Sequence, residues 1–374
     1  FGNRPKMRLG IAFWPLAFLL VYYLIWHFSN WNAIDHSDAF QNLAREILMI
    51  FFVGCNVYWI QRFNCLRRFT RVVYWAFALF MVFWLIYSIP QIDIIRTFTT
   101  FWIDNNFIRY RTMFGFEFPN LAAEMALSVI ILSKIARPKK QGKVWTVLLN
   151  LVMLFIILAN NSRGTFIAFV LVEVGWFILS RLSARGYQTF KRLLFILIAL
   201  AIVGVVAYAL IKHVTILELL SGTNRQGITE NLTVLEASGR WWMGLGRLTG
   251  EFFADENIFY GQKTGYLEVF YFETFVTSGI IGSIYIVAIL LFLGVRMIAT
   301  QFSMGLRFGK WMLLVVLYSL FISLFEVYIF SYIYVTAMAF LIIGLSAMCK
   351  PKVRLALVTY PEEKGEPHDQ EILA

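Results

Sequence analysis

Ten runs of 17–20 mostly apolar residues recur along the chain, at 11–28, 44–60, 72–90, 119–136, 144–161, 164–180, 193–212, 279–296, 311–329 and 331–349. A helix needs about 20 such residues, within a range of about 17–25, to cross the hydrocarbon of a bilayer. A spanning β-barrel would instead show segments of about 10 residues that alternate in polarity, and these runs are continuous. Glu46 and Glu124 lie near the starts of the second and fourth runs. Composition agrees: 60% of residues are hydrophobic and 15% charged, against about 45–50% and about 25% in soluble domains. The 12 Trp, 17 Tyr and 37 Phe suit belts at the membrane interface. The expected fold is therefore all-α, a polytopic membrane helix bundle of ten spans with one large extracytoplasmic loop that contains short helices.

The net charge of +11 sits in short clusters between the apolar runs, a pattern that does not read as nucleic-acid binding. The clusters are Arg4, Lys6 and Arg8; Arg62, Arg67, Arg68 and Arg71; Lys134, Arg137, Lys139, Lys140 and Lys143; Arg181, Arg185, Lys191 and Arg192; Arg296, Arg307 and Lys310; and Lys350, Lys352 and Arg354. If all ten runs span, every cluster falls on one side, which the positive-inside rule makes cytoplasmic together with both termini. The chain then divides into N-terminal spans over 1–212, a large extracytoplasmic loop over 213–278, C-terminal spans over 279–349 and a polar tail over 350–374. Long connections of that kind tend to be functional. Cys55, Cys65 and Cys349 lie within helices or at their inner ends and offer the outer loops no disulfide.

Arg163 stands in Ala159-Asn160-Asn161-Ser162-Arg163-Gly164-Thr165, between two spans and on the side where arginine is otherwise sparse. One reading is an interfacial arginine that snorkels to headgroups. The other is an anion clamp, because a guanidinium presents a planar fork that matches phosphate oxygens. The outer loop supplies Ser238-Gly239-Arg240-Trp241-Trp242, then Arg247, then an aromatic stretch from Tyr260 to Phe275 with Tyr271, Glu268 and Glu273. Residues 264–278 read as a helix near the outer surface or packed into the bundle mouth. Glu268, Phe272 and Phe275 share one face of it. Glu173 and Glu326, inside runs, read as paired with polar neighbours or as part of an ion path. No two of His27, His36 and His213 have metal-ligand spacing, so neither a metal nor a nucleotide cofactor is expected.

Three segments, in order, resemble the O-antigen ligase and Wzy-type polymerase family of bacterial cell envelopes. Phe114-Gly115-Phe116-Glu117-Phe118-Pro119-Asn120-Leu121-Ala122 is similar to the family's F-G-x-x-x-P-N helix start, and Asn161-Ser162-Arg163-Gly164 to its S-R-G turn. Ser238-Gly239-Arg240, followed by Glu268 and Gly279-Ile280-Ile281-Gly282, resembles the large outer loop and its exit into the next helix. The resemblance covers about residues 105–300. Ligases of the family carry a histidine in an H-N-x-x-L stretch ahead of the G-x-x-G, and counting back eleven residues from Gly279 reaches Glu268 instead. That departure favours a polymerase. Family members commonly have more spans than the ten read here, so the likeness is to a shorter member or to one whose first helix pair lies outside this chain.

The resemblance implies a metal-independent, inverting glycosyltransferase of the GT-C type in the bacterial inner membrane, with its active site on the extracytoplasmic face. Its donor and acceptor would be glycans on undecaprenyl pyrophosphate, with a chain-length regulator and a flippase as partners. Arg163 and Arg240 would stabilise the leaving diphosphate, with Arg247, Arg109 and Arg111 in reserve. Glu268 would be the general base, Glu273 the alternative, and Trp241, Trp242, Tyr271 and Asn120 would bind substrate. Ligation of a finished glycan to a lipid or protein acceptor is the second reading. Transport of a lipid-linked glycan is the third, for which paired broken helices or a repeat in two halves would be expected.

Overall fold

A computed structural model describes residues 9–29, 36–100, 110–116, 119–136, 143–194, 196, 235, 238–246, 270–299, 305–324, 326, 328–331 and 333–349. The described residues are helices and short turns, with no strand among them. The named helices are α1 (Leu9–Phe28), α2 (His36–Phe63), α3 (Leu66–Ser88), α4 (Ile94–Thr100), α5 (Pro119–Ala136), α6 (Lys143–Ala159), α7 (Arg163–Arg181), α8 (Phe270–Ala299), α9 (Leu306–Ile322) and α10 (Val335–Met348).

Five of them are long and apolar enough to cross a membrane: α1, α2, α3, α7 and α8. The runs read at 119–136, 144–161, 311–329 and 331–349 become α5, α6, α9 and α10, helices of 18, 17, 17 and 14 residues. The last two are shorter than their runs, because the chain leaves helical geometry between Ser323 and Tyr334, where Phe330 has φ 58°. Most of 193–212 lies outside the described residues, as do most of the loop 213–278 and the tail 350–374.

Helix α3 shows how the helices divide into a buried and an outer face. On α3, Thr70, Tyr74, Ala78, Met81 and Ser88 are buried at roughly one-turn spacing, while Leu79, Phe83 and Ile86 on the other face are each more than 60% exposed. A contiguous apolar outer face of this kind is a liability in water, and lipid tails are its natural solvent. Membrane and transmembrane helix are thus the properties the fold supports.

Contacts between helix ends separate the bundle into two ends. At one, the Arg307 guanidinium donates to the Lys134 carbonyl at 2.7 Å, Lys310 Nζ to the Leu182 carbonyl at 2.6 Å and Tyr187 to the Gly309 carbonyl at 3.1 Å. Burial pushes the Tyr187 hydroxyl up to about 12, so it stays a donor at any physiological pH. Gln61 at the end of α2 reaches the Ser346 carbonyl near the end of α10. This end carries Arg62, Arg67, Arg68, Lys134, Arg181, Arg307 and Lys310, and is called the basic end. At the other, Tyr23 donates to the Phe330 carbonyl at 2.8 Å and Asn120 to the Glu326 carboxylate. All three resemblance-bearing segments have described residues here, so it is called the motif end.

Candidate functional site

The turn between α6 and α7 is built from polar residues that are fully or nearly buried. Asn160 and Asn161 are 0% exposed, and Asn161 takes φ 58°, the left-handed conformation that asparagine tolerates better than most residues. Asn160 Nδ2 donates to the Thr112 carbonyl at 3.0 Å, and the Thr112 N–H donates to the Ala159 carbonyl at 3.2 Å. Asn161 Nδ2 donates to the Tyr110 carbonyl at 3.1 Å, with the Thr97 carbonyl and Thr100 Oγ1 of α4 each at 3.4 Å. The two asparagines thereby fasten segment 110–116 against the α6–α7 turn. Arg111, on that segment, and Arg163, the first residue of α7, are both half-buried at the motif end. A helix start of this kind is favourable for an anion even without a side-chain cation.

Segment 110–116 turns at Phe114 and Gly115, with φ 48° and 74°, and the chain enters α5 at Pro119. Asn120 donates to Glu326, whose other oxygen accepts from the Tyr334 hydroxyl at 2.9 Å. Glu326 is therefore paired with polar neighbours. Glu173 is too, accepting from Lys134 Nζ at 2.6 Å in a salt bridge between α5 and α7.

The third segment folds onto a break in α8. Gly279 has φ 62° and ψ −162°, values open essentially to glycine alone. Two helical hydrogen bonds that would cross the break are replaced one for one. The Val276 and Thr277 carbonyls accept from the Leu245 and Gly246 N–H groups at 2.8 and 2.9 Å. The Ile280 and Ile281 N–H groups donate to the Trp241 and Trp242 carbonyls at 3.0 and 3.1 Å. Trp26 Nε1, buried on α1, donates to both the Ser278 and the Met243 carbonyls at 3.0 Å. Non-helical backbone at membrane depth is tolerated where protein supplies such partners. Residues 270–278 are thus packed into the bundle mouth, continuous with the span that follows.

Arg240 clasps this arrangement. Its Nε donates to the Gly244 carbonyl and one terminal nitrogen to the Ser29 carbonyl at the end of α1, both at 2.8 Å. Trp241 is half-buried with its ring 5.9 Å from that of Phe275, and Trp242 is 65% exposed. Tyr271 donates to the Leu320 carbonyl of α9 at 3.2 Å, and Glu273 is half-buried on α8. Glu268, Arg247 and Arg109 lie outside the described residues.

The Asn160–Asn161 network, beside which Arg111 and Arg163 stand, and the Arg240 network share no residue among these contacts, although both stand at the motif end. Sequence reasoning passed over Asn160, Asn161, Trp26 and Ser278 as structural elements of that end. The Asn-Asn pair ahead of a charged helix start was the available signal for the first two. No group of three or more His, Cys, Asp or Glu able to hold a metal occurs among the described residues. No protein-family model matches the chain, and no curated protein does.

Proposed function

We propose that the chain is a membrane glycosyltransferase that polymerises lipid-linked repeat units, as the resemblance to O-antigen polymerases and ligases implies. The observation that carries the reading is the fastening of segment 110–116 to the α6–α7 turn through Asn160 and Asn161. It ties the turn that carries Arg163 to the stretch that carries Arg111 and leads into the Phe114–Ala122 segment. A pair of guanidinium groups beside a helix start is the chemistry a departing diphosphate requires.

In the proposed reaction an acceptor sugar hydroxyl attacks the anomeric carbon of the donor glycan. The new glycosidic C–O bond forms as the bond from that carbon to the diphosphate breaks. The hydroxyl proton passes to Glu268, or to Glu273 if Glu268 is not the base, and undecaprenyl pyrophosphate leaves with the bonding pair. Arg163 and Arg111 balance the charge on the leaving group. Arg240 acts through the loop, holding Trp241 and Trp242 where they stack on acceptor sugars. The face is extracytoplasmic in this reading, in the inner membrane of a bacterium, and the reaction uses neither metal nor cofactor.

The broken helix α8 favours a second reading, transport of a lipid-linked glycan, since interrupted helices line transporter sites. One assay separates the two. Purified protein is given a lipid-pyrophosphate repeat unit and the products are run on a gel. A ladder of lengths supports the polymerase, and transfer of one block to a second acceptor supports a ligase. Unchanged substrate, together with movement of the lipid across a vesicle membrane, supports the transporter.

A further inference from the structure

Glu124 lies on α5, about 7 Å below the helix start at ~1.5 Å per residue, with its side chain 0% exposed. Neither carboxyl oxygen has a hydrogen-bond partner among the described residues. The groups that act on it electrostatically come from the elements around it: Glu326, ahead of α10, Tyr318 on α9 and Tyr328. Tyr318 and Tyr328 pack with ring centroids 5.5 Å apart, and the Tyr328 hydroxyl donates to Thr336 at 3.2 Å. Ser128, one turn below Glu124, is also 0% exposed and stands within reach of the Tyr318 and Tyr328 hydroxyls.

The two carboxyls are provided for unequally. Glu326 accepts from Asn120 at one oxygen and from Tyr334 at the other, which is the coordination of an ionised carboxylate. Among the described residues no donor is directed at Glu124. A bare carboxylate buried beside a second negative charge is not a stable arrangement. One positive charge is therefore owed to this position, and the oxygens around it (the Glu124 carboxyl, Ser128 Oγ and the tyrosine hydroxyls) suit a proton or a small hard cation.

We infer that Glu124 and Glu326 form an intramembrane binding site for one monovalent cation, carried on Glu124 beside an ionised Glu326. The inference stands apart from the proposed glycosyl transfer, because it rests on the fully buried Glu124 side chain, which has no part in that reaction. The site's chemistry is a single positive charge, and proton and Na+ are the two sources.

The test uses dicyclohexylcarbodiimide, an apolar reagent that adds to a protonated carboxyl, on the purified protein in choline chloride and in NaCl, with adducts located by peptide mass mapping. An adduct at Glu124 that falls away as pH rises, equally in both salts, identifies the proton as the bound charge. An adduct in choline chloride that NaCl suppresses identifies Na+ as well. In Glu326→Gln the pH at which labelling is lost shifts downward, since the neighbouring charge that retains the proton is gone. Glu124→Gln, which mimics the neutral acid, removes the adduct and leaves the thermal midpoint unchanged. Should that variant fail to fold, the wild-type adduct map decides. An unlabelled Glu124 at acidic pH in choline chloride overturns the inference. So does labelling of Glu326 in its place, or a pH profile unmoved by Glu326→Gln.

Discussion

Gly279 and Arg163 show how much one side chain decides at the motif end. A Cβ built on Gly279 would stand 2.6 Å from the Gly244 nitrogen and from the Trp241 carbonyl oxygen, both backbone atoms that are themselves hydrogen-bonded and cannot retreat. Gly279→Ala should cost about 1–3 kcal/mol for the strained backbone alone, read as a lowered thermal midpoint in detergent. Gly294→Ala, whose Cβ would meet only Val316 at 3.6 Å, should leave the midpoint nearly in place. An equal fall in both variants would remove the argument from the break. Arg163 was visible in the sequence because a charge beside an apolar run is costly. Arg240 was visible as a charge but not as a clasp, since its partners are main-chain carbonyls, one of them 211 residues away. A carbonyl has no residue identity to read. Glu124 was visible only as a blemish near the start of a run, because the groups that act on it, Tyr318, Glu326 and Tyr328, follow it by some two hundred residues.

At the scale of elements, the α5–α7 pair is fixed by Lys134 and Glu173, whose side chains are 11% and 36% exposed. A pair at that depth lies between the surface and buried cases, so Lys134→Met should cost about 1–3 kcal/mol by leaving Glu173 unanswered. Lys134→Met with Glu173→Met should recover most of that loss. Additive losses in the double variant would show that the bridge carries no coupling. Asn160→Ala and Asn161→Ala should loosen segment 110–116, seen as faster amide hydrogen exchange there while α3 is unchanged. Uniform protection across the variants would mean that the asparagines are not what holds the segment. Helix existence was legible from the apolar runs, and the bounds of α5 coincide with the run read at 119–136. The ends of α9 and α10 were not, because Leu324, Phe330 and Tyr334 are as apolar as helix residues and only the backbone turn at Phe330 separates them.

At the scale of the whole molecule, the arrangement is two-ended. Described basic residues from four connections gather at one end, and all three resemblance-bearing segments meet the other. If the basic end faces the cytoplasm, then in a background with Cys55, Cys65 and Cys349 replaced, Trp242→Cys should react with a membrane-impermeant maleimide added to intact cells. Arg68→Cys should react only after the cells are opened. The reverse pattern would invert the topology and carry the proposed site to the wrong side. The gathering of the described basic residues at one end was readable from the charge clusters. The pairing of segment 241–246 with the break in α8 was not, because it is made by backbone groups across a long connection.

The proposal stands or falls on glycan chain growth coupled to release of the lipid carrier. With purified wild-type protein and a lipid-pyrophosphate repeat unit, a ladder of products should form, with one undecaprenyl pyrophosphate released for each bond made. Arg163→Ala, with its thermal midpoint preserved, should slow both by about a hundredfold or more. Folded wild-type protein that yields no ladder, or an Arg163→Ala variant that polymerises at the wild-type rate, would contradict the assignment.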